Sequence, residues 1–148
     1  MKKETTTYSR QTCLAARRWH LVDAQGKTVG RLASVIASLL RGKMNPAFSA
    51  HIDTGDFVIV VNTRQVRLSG NKLQDKVYYR HTEYPGGIRQ TLAGQLLNSR
   101  SEEVLRKAII GMLPKTPLGR QLAKKVKIYS GPDHPHGAQQ PVALSLGE

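Results

Sequence analysis

The run Phe57–Val61, FVIVV, constrains the fold more than any other segment: it is unbroken apolar, almost wholly β-branched, and closed by Asp56 and Asn62. A strand with one wet face alternates, whereas a continuous β-branched run is the pattern of a strand covered on both sides, as in a parallel sheet flanked by helices. Upstream, residues 19–24 (WHLVDA) alternate apolar and polar and read as an opening strand. Between the two, Leu32, Val35, Ile36, Leu39 and Leu40 recur at i, i+3, i+4, i+7 and i+8, one face of a helix that Gly42 stops. Strand, helix, strand in that order is a βαβ unit with an expected right-handed crossover.

Downstream, residues 66–68 and 76–81 read as further short strands around the turn Ser69-Gly70-Asn71-Lys72. After Pro85-Gly86-Gly87 the pattern turns helical. Thr91 is placed to cap a short helix through Leu92, Leu96 and Leu97, and Ser99-Arg100-Ser101-Glu102 matches a capping box for a second, ending at Pro114. Thr116 followed by Pro117 is a cap plus first-turn proline for a third helix bearing Leu118 and Leu122. Residues 126–129 alternate and return to the sheet. The glycines and prolines from Gly131 onward predict an extended tail without a core of its own. The expected organisation is a basic N-terminal arm (1–18), a single α/β domain (19–130) with a mostly parallel central sheet flanked by helices, and an extended C-terminal tail (131–148).

Charge decides the partner class. The chain has 23 Lys+Arg against 10 Asp+Glu, a formal +13 on 148 residues, and self-repulsion of that size is most easily tolerated when a polyanion neutralises it. The cations are uneven: residues 100–127 hold eight against two acids, residues 1–20 five against one, while residues 21–62 are near balance with four against three. Aromatics are only 5% of the chain, which speaks against a binder built on base stacking. The single cysteine, Cys13, makes neither a disulfide framework nor a Cys-based zinc site, and no apolar run approaches the about 18 residues of a membrane span. The first 18 residues, with only Glu4 acidic, read as a disordered basic arm in preference to an organelle transit peptide.

Several residues invite sharper readings. Gly26-Lys27-Thr28 suggests a phosphate loop, but that motif needs a glycine where Leu21 stands, so a tight turn is preferred, with Lys27 and Arg31 as phosphate contacts. His51, Asp53 and Asp56 form the most enzyme-like cluster, able in principle to bind metal or trade protons. The same residues are also what a strand entrance looks like, and a structural turn with His51 facing RNA or fixing the turn is the favoured reading. His134 and His136 lack a cysteine partner and read as a tail that orders against another surface. Along 78–81 one tyrosine is expected inward and the other outward, with the outward one and Arg80 packing on sugar or phosphate, or else in plain cross-strand contact. The stiff stretch 111–120, GMLPKTPLGR, presents Lys115 and Arg120 to something negative. Lys107, Lys124, Lys125 and Lys127 are added as nucleic-acid contacts from charge alone.

In order and spacing, WHLVDAQGKTVGRLAS, RGK at 41–43, HIDTGDFVIVVN, GNKLQDKVYYRHTEYPGG, GMLPKTPLGR and HPHGAQQP resemble the bacterial-type members of the family of large-subunit ribosomal protein thirteen, over nearly all of residues 19–141. The resemblance implies an α/β domain bound to large-subunit rRNA and beside neighbouring large-subunit proteins, structural and early-assembling. It implies no catalysis, cofactor, metal or small-molecule substrate, and a cytoplasmic ribosome before an organelle one. Carried over by motif, the RNA contacts are Lys27, Arg31, Arg41, Lys43, His51, Asn71, Lys72, Lys76, Tyr79, Arg80, His81, Lys115 and Arg120. Two departures stand out: Ser49-Ala50 where Thr-Pro is frequent, and Glu83 where a glycine is common. The alternative is a general nucleic-acid-binding or nucleic-acid-processing protein.

Overall fold

Strand β1 (Trp19–Asp23), helix α1 (Val29–Arg41) and strand β2 (Phe57–Val61) form the anticipated βαβ unit, with β1 and β2 parallel from Trp19 opposite Phe57 to Asp23 opposite Val61. The computed structural model describes residues 17–144, together with Ser9 and Gln11. Most of the expected N-terminal arm, Cys13 included, lies outside the described residues. Val58 and Val60 join one aliphatic cluster with Leu32, Ile36 and Leu40 of α1, while Ile59 and Val61 are buried outside that cluster, so β2 is covered on both faces. Each such side chain, fully withdrawn from water, stabilises the fold by about 1.5–3 kcal/mol.

The main sheet has four parallel-paired strands in the order β5-β2-β1-β6, where β5 is Val126–Ile128 and β6 is Val142–Ala143. The C-terminal segment thus returns to the free edge of β1: after a 3₁₀ turn at Gly137–Gln139 it pairs there, and the Leu144 amide donates to the Leu21 carbonyl at 2.8 Å. On the far face Trp19 stacks on Phe57 at 4.3 Å between centroids, and the His136 ring lies 5.5 Å from Trp19.

The middle of the chain departs from expectation. Residues 66–68 form no strand, only a bridge of Arg67 to Thr28, with the Val29 amide donating to the Arg67 carbonyl at 3.0 Å. The turn that follows winds into a one-turn helix, α2 (Lys72–Asp75). Strand β3 (Val77–His81) then pairs antiparallel with β4 (Ile88–Leu92), a strand not foreseen, in a separate two-stranded ribbon. Pro85-Gly86-Gly87 is therefore a hairpin loop, closed by the Thr82 amide on the Gly87 carbonyl at 3.0 Å.

Within that loop Glu83 takes φ 69°, the left-handed region, at the position where the resembling family commonly has glycine. A non-glycine residue there costs about 1–2 kcal/mol, and glycine returns part of the relief through its more flexible unfolded state. Glu83→Gly is expected to raise stability by about 0.5–1 kcal/mol, read as a higher denaturation midpoint.

Helix α3 (Ala93–Met112) contains both expected helices, joined across a kink at Arg100 (φ −145°, ψ 69°). The capping box does not form. Ser99 Oγ donates back to the Gln95 carbonyl at 2.9 Å, Glu102 accepts from the Ser130 amide at 3.1 Å, and Ser101 is buried against Thr63 at 3.0 Å. Helix α4 (Pro117–Ala123) follows the sequence expectation, with Pro117 in the first turn and Thr116 Oγ1 accepting from the Gly119 amide at 3.3 Å.

Candidate nucleic-acid interface

Helix α1 carries a basic cleft at each end. At its N-terminal end Thr28, Gly30 and Arg31 face Arg67, Ser69 and Lys72 across a cleft of about 500 Å³. No acid sits in the first turn and Thr28 makes no side-chain cap, so the positive end of the helix dipole adds to the three cations. At the other end Arg41 and Lys43 line a cleft of about 390 Å³ with Met112, Leu113 and Pro114, directly before Lys115. Segments far apart in sequence therefore meet: the turn at 26–28 with the turn at 69–72, and RGK with the 111–120 stretch. The helix between them spans about 20 Å at 1.5 Å per residue.

The remaining expected contacts divide. Asn71, Lys76, His51, Arg120 and Lys124 are exposed, as are Arg31, Lys43, Lys72 and Lys115; Lys27, Arg41 and Lys127 are half-buried. Arg41 lies over the Phe48 ring at 5.9 Å. Lys107 is engaged within the chain, paired with Glu103 at 3.0 Å and standing 5.0 Å over the Tyr78 ring, which Lys76 also approaches. The Lys107 hydrogen bond holds the Glu103 carboxyl below its ordinary range, and burial pushes the Tyr78 phenol up. Tyr78 is the inward tyrosine and Tyr79 the outward one, as expected. Tyr79 and Arg80 do not share a surface, however: they are adjacent on β3 and so point to opposite faces of the ribbon, Arg80 opposite Arg89. His81 Nδ1 accepts from the Glu83 amide at 3.0 Å.

Lys125 corrects the sequence reading outright. It is 4% exposed, and its Nζ donates to Asp53 Oδ1 at 2.6 Å, the Gly55 carbonyl at 2.9 Å and the Leu40 carbonyl at 3.2 Å. It satisfies a carbonyl at the end of α1, where a cation is favoured, and has no reach to RNA. Burial pushes the Lys125 ammonium below the usual lysine range, opposed by the hydrogen bond and charge of Asp53. Asp53 also accepts from Arg17 Nη2 at 2.6 Å, while Asp56 accepts from the Arg18 amide at 3.0 Å and pairs with His20 Nε2 at 3.0 Å. Gly55 is required because a Cβ there would run into the Leu40 carbonyl. The HIDTGD segment is thus a clasp that ties the entry of β1, the end of α1 and the start of β5, in line with the turn reading. Its carboxylates are spent on holding cations and amides.

His136 Nε2 meets the Tyr129 hydroxyl at 2.7 Å, which places the tail histidine in packing over the sheet. Among the described residues no group of three His, Cys, Asp or Glu is placed to hold a metal ion, and no helix is long and apolar enough to cross a membrane. Sequence reasoning missed Arg67, which completes the first cleft, and Arg64 and Arg106, which border a hollow with Ser130. Arg67 stands beside Thr28 through a single bridge, and nothing local in the sequence signals that.

Among the described residues Asp53 and Glu103 are engaged by cations, whereas Arg31, Arg67, Lys72, Lys43, Lys115 and Arg120 have no carboxylate partner. A single α/β body that leaves cations open on clefts is suited to a polyanion. Comparison with known proteins narrows the class. The family model described as Ribosomal protein L13 matches residues 17–135. The large ribosomal subunit protein uL13 of Brevibacillus brevis is 54% identical over 136 residues, covering 92% of this chain and 94% of its own. That of Psychrobacter cryohalolentis is 52% identical over 140 residues, 95% and 99% of the two chains, and that of Geobacter sulfurreducens 53% over 130, 88% and 91%. The chain belongs to the ribosomal protein L13 family.

Proposed function

We propose that this chain is a structural constituent of the large ribosomal subunit that binds large-subunit rRNA and supports early subunit assembly beside neighbouring large-subunit proteins. The observation that carries the reading is the convergence of cations without a carboxylate partner, from distant motifs, on the two ends of α1. Arg31, Arg67 and Lys72 hold one stretch of backbone, and Arg41, Lys43 and Lys115 another, so that the rigid helix fixes the distance between two RNA segments. Such contacts read the shape of folded RNA more than base edges. Membership of the ribosomal protein L13 family supports a structural and not an enzymatic role, and the carboxylates of the most enzyme-like cluster hold Arg17, Lys125, His20 and backbone amides. The relatives compared are bacterial, which favours a cytoplasmic ribosome over an organelle one.

Binding of the purified chain to a large-subunit rRNA domain, titrated against potassium chloride, tests this. With about six phosphates neutralised, affinity is expected to fall roughly a thousandfold between about 50 and 200 mM salt through counterion release. A flat salt response would remove the proposed mode of binding. Equal affinity for unrelated duplex DNA of the same length would favour the general nucleic-acid binder instead.

A further inference from the structure

The ribbon β3–β4 has two unlike faces. Alternation puts Tyr78, Arg80, Arg89 and Thr91 on one side, and Val77, Tyr79, His81, Ile88, Gln90 and Leu92 on the other. The first side belongs to the domain and its charge: Tyr78 packs on the core with Lys76 and Lys107 over its ring, and Arg80 stands opposite Arg89. The second side faces outward, with Tyr79 66%, Ile88 64% and Leu92 38% exposed. It carries no lysine, arginine or carboxylate, on a chain whose formal charge is +13. Its histidine, His81, spends Nδ1 on the Glu83 amide.

We propose that this outer face, where the family resemblance had placed the RNA contacts Tyr79 and His81, instead docks against an uncharged, apolar surface of another protein of the large subunit, an inference that rests on the ribosomal reading above. Charge selects the partner. A phosphate backbone laid here would find no cation to neutralise it, and a platform for unstacked bases combines several rings with a positive groove, whereas this face offers one ring beside aliphatic side chains. Depletion of charge together with exposed tyrosine is the composition of the centre of a protein–protein interface. Ile88 lies diagonally across the strands from Tyr79, within reach of it, so the two form one contiguous anchor. An apolar ribbon face left open in water is also a liability for association, which a fixed cover removes. The ribbon accordingly stands between RNA, on its arginine side, and protein, on its tyrosine side.

The test uses assembled particles. The full chain, with the photoreactive residue benzoylphenylalanine in place of Tyr79 or, as the opposite-face control, of Arg89, is expressed in cells, and purified large subunits are irradiated. The expected product at position 79 is a cross-link to a polypeptide identified by mass spectrometry as another protein of the subunit. Adding Ile88→Asp should lower its yield about tenfold per incorporated chain. A cross-link to rRNA, a cross-link to a second copy of this chain, or no product from incorporated chain would each overturn the docking proposal. At position 89 a cross-link to rRNA supports the ribosomal reading by itself. Failure of the chain to enter large subunits at all would sink that reading and the docking proposal with it, an outcome distinct from a wrong product at position 79.

Discussion

Asp53→Ala is expected to destabilise the chain by about 3–5 kcal/mol, because it leaves the Lys125 ammonium buried without its hydrogen-bonded counter-charge, with only the weaker pull of Asp56 remaining. The Lys125 Nζ would keep only the Gly55 and Leu40 carbonyls, and Arg17 would lose its partner in the same stroke. Against the about 5–15 kcal/mol by which domains of this kind are stable, that loss removes much of the margin. Lys125→Met should cost less, about 1–3 kcal/mol, since it removes the buried charge and leaves two carbonyls short of a donor while Asp53 retains Arg17. Denaturant unfolding of the two variants decides the matter. Equal losses would mean that the clasp acts through packing and that the unpaired charge is not the cost. The pH dependence follows from the same group. Because burial lowers Lys125 in the folded chain, the unfolded chain binds that proton more tightly. Its contribution to stability therefore rises with pH between the lowered folded value and the ordinary lysine value of 10.5. Lys125→Met should abolish that alkaline rise.

The elements that were legible in the sequence are those specified by neighbours along the chain. The β-branched run at Phe57–Val61, the apolar stripe of α1 and the Thr116-Pro117 start of α4 each depend on a few consecutive residues, and each stands where expected. Strand β4 was not legible because Ile88–Leu92 is mostly exposed and shows no apolar alternation; its state is set by β3 across the hairpin. The two residues of β6 take their conformation from β1, at the other end of the chain. At residues 99–102 the letters of a capping box were present, but burial of Ser101 on Thr63 and the kink at Arg100 overrode them. Around the two clefts, motif and charge singled out Arg31, Lys72, Arg41 and Lys43 but not their grouping, since Arg67 reaches the first cleft only through its bridge to Thr28. Lys125 was misread because Lys124, Lys125 and Lys127 look alike in sequence. What separates them is a half-buried carboxylate, Asp53, that only the fold brings within 2.6 Å.

Charge reversal at both Lys115 and Arg120 is expected to lower affinity for large-subunit rRNA by about a hundredfold, four units of charge changing at somewhat under 1 kcal/mol each in a solvent-exposed setting. Both side chains are exposed and without a carboxylate partner, so Lys115→Glu with Arg120→Glu should leave the unfolding midpoint close to that of the parent. The Thr116 cap on the Gly119 amide does not involve either side chain, and α4 keeps its seat. The loss should be largest at low salt and shrink as salt rises, with a shallower slope of log affinity on log salt than the parent's. In cells the double variant should compete poorly with the parent chain for large subunits, measured as the ratio of the two in purified particles. Occupancy equal to the parent's would show that residues 115–120, from the turn after α3 into α4, do not face RNA. The second cleft would then have to bind through Arg41 and Lys43 alone, and reversing those two would be the change that empties the particle of this chain.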